Sequence, residues 1–282
     1  MNKSVRDRVL DGLYMAMMIV PFLFCMVLKV LTKPASEGIS ITGAQVYFTI
    51  PMPIMDLPIS ESQVNASAVV IAILGLCLFL THGLKVKPDS KRQIAAEYIV
   101  EKARGLVLDN MGERFINFAP FIAGIMAISA FSSLSSLLGL FPPTSDMNIV
   151  AGWAILVFIL ITHYKLKGGV LPYVKGFFEP VPIFALFNII GEFATPVSMS
   201  FRHYGNVLSG VVIASLVAYA LQAVSGMILG WLPGILGEIP FLQVGIPAIL
   251  SLYFDIFSGL MQAFIFAMLT MLYIATAGPE EA

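Results

Sequence analysis

Residues 187–206 read FNIIGEFATPVSMSFRHYGN and lead into an apolar stretch that continues to about residue 230. Arg202, inside this passage, is the only Lys or Arg between Gly176 and the C-terminus. An arginine in hydrocarbon costs between about 2.5 and 17 kcal/mol, depending on the scale. A membrane protein keeps such a group when it handles ions or holds structure together through a paired charge. The passage therefore points to a membrane helix that carries function.

Composition supports that reading. Of the 282 residues, 58% are hydrophobic and only 12% charged. Mean hydropathy is +0.90. A soluble chain of this length needs far more surface charge, so the sequence reads as an integral membrane protein. Net charge is -1. Basic residues gather at the N-terminus and between residues 85 and 114, an asymmetry that speaks of membrane topology and gives no sign of nucleic-acid binding. Cys25 and Cys77 lie in apolar segments, match no metal or redox spacing, and read as buried hydrophobes. There is no Gly-rich phosphate loop and no zinc-binding His pair.

Six apolar segments are expected, at about 13–31, 64–82, 117–139, 148–164, 180–230 and 241–275. Their lengths suit helices rather than barrel strands, giving an all-α integral membrane fold. The first follows Lys3, Arg6 and Arg8 and reads as a retained helix in preference to a cleaved signal. Alternating loop charge places both termini in the cytoplasm. If the first segment is cleaved, five spans remain and the mature N-terminus lies outside. Residues 1–61 form an extra N-terminal segment with an external loop, and 62–282 the main membrane domain. Residues 89–107 read as an amphipathic helix on the cytoplasmic membrane face, with a solvated linker helix as the alternative. The last two segments are too long. About 50 helical residues cover roughly 75 Å, against a hydrocarbon layer near 30 Å. They must be strongly tilted or conceal a hairpin.

At 100° per residue, Asn188, Glu192, Thr195, Arg202, Asn206 and Ser209 fall on about a third of one helix face. Ser251, Asp255, Ser258 and Gln262 form a second polar stripe in the final segment. Gly205 and Gly210, then Gly259 and Ala263, permit close helix approach. The two stripes face each other or an adjoining subunit. Carboxylates can pass protons or coordinate sodium; an arginine keeps its proton and cannot relay. Glu192 has two simpler roles, pairing with Arg202 or capping a helix break near Pro196. His203 lies about 100° around the helix from Arg202, and a packed neutral ring is its plain reading. Glu238, after a turn at Trp231, guards an entrance or hydrates the loop.

From Pro196 to Asn206 the chain resembles subunit a of F-type ATP synthase. In that family Pro, a run of small residues, Arg, two bulky residues and Gly-Asn occur in order. The tail from Gln262 to Ile274 is similar to the family's closing helix. The resemblance extends from about Ser62 to Ala275; the first 60 residues match little, and the extra first segment departs from the common five-span form. It implies a non-catalytic stator in the F0 sector of a bacterial plasma (inner) membrane. Two offset half-channels carry H+ or Na+ to and from carboxylates on a ring of c subunits. Arg202 matches the arginine that faces this ring and prevents an ion shortcut. Glu192 matches an acidic position, and Asn206 and Gln262 the polar helix-pair residues. Asp255 occupies a site where other members place His or Glu. The implied partners are the c-ring, b-type peripheral stalk subunits, the rest of the F1F0 complex and lipid. No cofactor is implied, and ATP chemistry takes place off this chain. Two departures stand out. His203-Tyr204 replaces the commoner Leu-Phe, and Val211 stands where some members have Glu, with Asp255 a candidate replacement.

Two rival readings remain at this point. A standalone transporter would use Arg202 to bind an anion, and a purely structural subunit would bury an Arg202–Glu192 pair.

Overall fold

A computed structural model of the chain describes residues 3–32, 43–53, 55–86, 90–179, 181–231, 240–243 and 245–277. Six helical stretches in it are long and apolar enough to cross a membrane: Arg6–Thr32, Glu61–Thr81, Glu113–Leu138, Met147–Lys167, Pro182–Leu229 and Ile249–Ala277. The chain is an all-α multi-pass membrane protein.

The helices begin where the sequence supplies caps. Helix α1 covers Lys3–Thr32. A short antiparallel hairpin, β1 at Val46–Ile50 and β2 at Leu57–Ser60, lies in the connection expected to be an external loop. Helix α2, Glu61–Thr81, starts with the Ser60 N–H donating to Gln63 Oε1 at 3.2 Å. Helix α3, Lys91–Met111, starts with Ser90 Oγ accepting from the Gln93 N–H, and Gly112 stops it at φ +81, a conformation that favours glycine. Helix α4 is Ala119–Leu134. Asp146 caps α5, Met147–Lys167, whose last turn carries Lys165 and Lys167 beside the negative end of the helix dipole. Helix α6 is Val170–Gly176.

Helix α7, Ala185–Leu229, is one unbroken helix of 45 residues with Pro196 inside it. The hidden hairpin and the helix break at Pro196 are therefore both ruled out for this segment. At 1.5 Å per residue it measures roughly 68 Å, so it fits a hydrocarbon layer of about 30 Å only when steeply inclined. The final segment is shorter than expected. Helix α8, Ile246–Ser251, passes through a π-helical stretch, Leu252–Ser258, into α9, Gly259–Ala277. The wide π turn contains Asp255, and such turns are frequent at functional sites.

The core lies where α4, α5 and α9 meet, with the end of α3 against them. Ile122, Val157, Phe266, Ala267, Met271 and Ile274 are buried there, joined by Val107 and Met111 of α3. Toward its start α3 leaves Ile94, Tyr98, Ile99 and Val100 exposed, spread around the helix rather than along one face.

Helix α1 packs on α2 and is pinned at both ends. Gly75 makes the contact possible, because a Cβ there would meet Met17 Cβ at 2.9 Å. At one end Arg92 Nη1 donates to Asp11 Oδ1 at 2.8 Å, and His82 Nδ1 lies 3.1 Å from the same oxygen. At the other, Lys29 Nζ sits 3.2 Å from Glu61 Oε1 and donates to the Gly139 carbonyl at 2.8 Å. Glu61 is buried. Lys29→Ala would leave this carboxylate, among the described residues, with only the Phe141 N–H, at 3.3 Å. Removing one partner of a buried pair costs more than the pair contributes. We expect Lys29→Ala to destabilise the α1–α2 contact by about 1–3 kcal/mol. A lower thermal midpoint in detergent, largely restored in Lys29→Arg, is the check; an unchanged midpoint would remove Lys29 from this role.

Candidate functional site

Arg202 sits near the middle of α7. It is exposed, and among the described residues it makes no hydrogen bond or ion pair. Its neighbour His203 turns the other way and is fully buried. His203 Nε2 lies 3.3 Å from Ser129 Oγ, and its ring packs edge-on against Trp153 and Phe266, with centroids 5.9 and 5.4 Å apart. One step of about 100° thus separates an anchored ring from a free guanidinium. The buried ring fixes the rotation of α7, and that rotation projects Arg202 outward.

Glu192 is not the partner of Arg202. The two lie on one helix, ten residues or about 15 Å apart along its axis. Lys165 of α5 instead bonds both Glu192 oxygens, at 2.8 and 2.7 Å. Tyr173 of α6 donates to Oε1 at 3.4 Å, and burial together with the Glu192 charge raises the Tyr173 pKa. Asn188 donates to the carbonyls of Phe177 and Glu179 at 2.8 and 3.0 Å, tying the α6–α7 connection to the helix.

Helices α7 and α9 meet through the two polar stripes. Asn206 Nδ2 donates to Gln262 Oε1 at 2.7 Å, and Gln262 is buried. Intramembrane bonds of this kind average about 0.6 kcal/mol, so this one sets register more than stability. A Cβ on Gly210 would touch Phe254 at 3.1 Å, and one on Gly259 would overlap Ser133 Cβ at 2.8 Å. Gly205 differs: a Cβ there meets nothing within 4 Å, so it serves no close approach among the described residues. Ser209 Oγ donates to the Asn206 carbonyl at 3.0 Å. Ser251 ends α8, and Ser258 ends the π stretch, half-buried. Glu238 falls outside the described residues.

A second polar group gathers at the end of the bundle where α2 begins and α4 finishes. Asp255 lies near the Ser136 hydroxyl. Ser136 Oγ donates to the Ser133 carbonyl at 2.8 Å, and Ser133 Oγ lies 3.2 Å from Thr144 Oγ1. Ser62 Oγ donates to Asp146, Asn65 Nδ2 donates to the Phe141 carbonyl at 2.9 Å, and Glu61 completes the set. Ser132 and Ser133 are buried, as is Ser129, one turn closer to His203. Sequence reasoning named Asp255 but missed the others and Lys165. The signal for the serines was present in the run Ser132-Ser133-Leu134-Ser135-Ser136, four hydroxyls within an apolar segment.

The arrangement has two polar regions at opposite ends of the bundle, with an exposed arginine between them in depth. No group of three or more His, Cys, Asp and Glu among the described residues could hold a metal ion.

The family described as ATP synthase A chain matches residues 64–275. ATP synthase subunit a of Desulforamulus reducens is 30% identical over 235 residues, covering 81% of this chain and 84% of that protein. ATP synthase subunit a of Bacillus pumilus is 32% identical over 230 residues, covering 75% of this chain and 88% of the relative. The sodium ion specific ATP synthase subunit a of Propionigenium modestum is 26% identical over 265 residues, covering 83% and 84%.

Proposed function

Because the chain belongs to the ATP synthase A chain family, and so to the ion-translocating membrane sector of F1F0 ATP synthase, we propose that it is the stator passing ions to and from carboxylates on a c-subunit ring. The carrying observation is Arg202, exposed at mid-length of α7 with no acidic partner among the described residues. An ionised group at that depth is costly unless something outside the chain compensates it. A ring carboxylate is a partner of the right charge. Glu192 is occupied by Lys165, which takes the central support from the structural Arg202–Glu192 pair. Family membership replaces the standalone transporter reading.

The two polar regions support a reading as two half-channels. The outer one runs from Glu61 and Asp146 past Thr144, Ser133, Ser136 and Asp255 toward Asn206 and Gln262. Asp255 follows Phe254, which packs on Gly210 beside Val211, so it can supply the acid absent at that position. The inner one begins at Asn188, Tyr173 and Glu192 and passes Thr195. Arg202 lies between them and stops an ion from crossing without riding the ring. Its fixed charge lowers the pKa of a passing carboxylate and favours release of the ion. Each elementary charge crossing 100 mV supplies about 2.3 kcal/mol toward rotation.

The basic end, with α3 and α6, faces the cytoplasm of a bacterium, and the serine-rich end faces outside. The C-terminus is then cytoplasmic, as is the N-terminus with α1 in place. The b-type stalk subunits hold the stator against the ring. Site ligands on the ring select a proton or a sodium ion, and no cofactor is required.

Passive ion conductance of F0-containing vesicles, stripped of the peripheral domain, tests the outer route. Asp255→Asn is expected to cut it several-fold and Ser258→Ala to leave it nearly unchanged. Equal conductance in the two variants would take Asp255 off the route.

A further inference from the structure

Two cavities flank Glu192. One of about 510 Å3 is lined by Lys165, Pro172, Tyr173, Phe187, Asn188 and Glu192, among others. The other, of about 60 Å3, is lined by Phe158, Lys165, Glu192, Thr195, Tyr273 and Thr276 on its polar and aromatic sides. Lys165 and Glu192 are the two residues that line both. Their ion pair stands in the neck between a wide vestibule and a small chamber that reaches one helical turn further along α7, toward Arg202.

We propose that the Lys165–Glu192 ion pair is a gate across the inner half-channel, through which a cation passes when Glu192 exchanges the Lys165 ammonium for the ion. This rests on the half-channel reading above. Among the described residues Glu192 is the only carboxylate lining either cavity, so it is the acidic group that a cation crossing the neck meets. Lys165 engages both oxygens of that group, at 2.8 and 2.7 Å. Glu192 is 12% exposed and Lys165 33%, so the carboxylate is shielded while the ammonium reaches the vestibule. A lysine suits exchange. Its ammonium is a compact charge on a flexible stem that can swing back into water, without the fixed two-point fork of arginine. Tyr173, at 3.4 Å, keeps one hydrogen bond on the carboxylate when the ammonium leaves. Lys165 is thus a positioning residue: it acts on the ion through Glu192.

The test is passive ion conductance of vesicles carrying the complete F0 sector, with membrane levels of each variant measured first. Lys165→Gln removes the competing cation and is expected to raise conductance several-fold. Glu192→Gln strands the ammonium in the neck and is expected to lower it several-fold. The double variant is expected to fall between them. A merely structural pair would lose conductance alike in both single variants, and that result would overturn the gate. If Lys165→Gln fails to accumulate, Lys165→Ser carries the same expectation. A second readout separates the gate from the route beneath it. Thr195→Cys is expected to react slowly with a small water-soluble thiol reagent from the α6 side, and faster once Lys165→Gln is added. Equal, rapid reaction in both backgrounds overturns the gate alone. No reaction in either overturns the inner half-channel and the gate with it.

Discussion

Arg202→Ala is expected to abolish ion-coupled ATP synthesis in reconstituted vesicles while the complex still assembles. The two halves of this outcome have separate physical grounds. Assembly survives because the guanidinium is exposed and has no partner among the described residues, so its loss orphans no buried group. His203, which fixes the rotation of α7 through Ser129, Trp153 and Phe266, is untouched. Coupling fails because no other Lys or Arg occurs from Gly176 to the end of the sequence. A carboxylate on the ring would pass from one half-channel to the other without the fixed charge that favours its ionised form. Ions could then cross without turning the rotor. Arg202→Lys keeps the charge but loses the planar fork, and should retain only part of the rate. ATP hydrolysis by the peripheral domain alone should be unchanged, because its chemistry is elsewhere. Normal coupled synthesis in Arg202→Ala would reject the stator assignment of this residue.

What could be read in the sequence was what depends on one helix at a time. Span number followed from runs of apolar residues too long for anything else. The exceptional length of α7 was visible in the nearly uncharged segment of about 50 residues at 180–230, and so was the isolation of Arg202. The stripes containing Asn206 and Gln262 came from periodicity, and the structure joins these two side chains directly. What escaped depends on how helices sit against one another. Lys165 looked like an ordinary positive-inside charge, because nothing in its own segment shows that Glu192 lies opposite. The two are 27 residues apart, on different helices. Ser62 and Asp146 are separated by 84 residues and Asn65 and Phe141 by 76, beyond any local pattern. The serines of α4 were legible as polar residues in an apolar run, but not as neighbours of Asp255. The π stretch at Leu252–Ser258 has no periodic signature, since one widened turn shifts every later side chain off the 100° count.

Gly259 and Gly205 should separate folding from function when each is replaced by leucine. At Gly259, even a first carbon would stand 2.8 Å from Ser133 Cβ, a contact that real Cβ atoms essentially never make. A full leucine must push α9 away from α4, at the centre of the core. Phe266, Ala267 and Met271 would leave their packing positions, and Gln262, one turn on, would be drawn from Asn206. Overpacking a tight core costs about 1–3 kcal/mol, occasionally more, and a helix–helix contact between backbones has little room to relax. Gly259→Leu is therefore expected to remove most of the chain from the membrane fraction on immunoblotting. Gly205 shares the Arg202 side of α7, one turn further along, and no atom of the described residues lies within 4 Å of its missing Cβ. Leucine there also has the better helix propensity, by somewhat under 1 kcal/mol. Gly205→Leu should thus accumulate at normal levels while cutting coupled synthesis at least tenfold, because its side chain intrudes on the surface the rotor sweeps. If Gly205→Leu synthesises ATP at the unsubstituted rate, that face of α7 looks onto lipid, and the ring must be sought against another side of the helix.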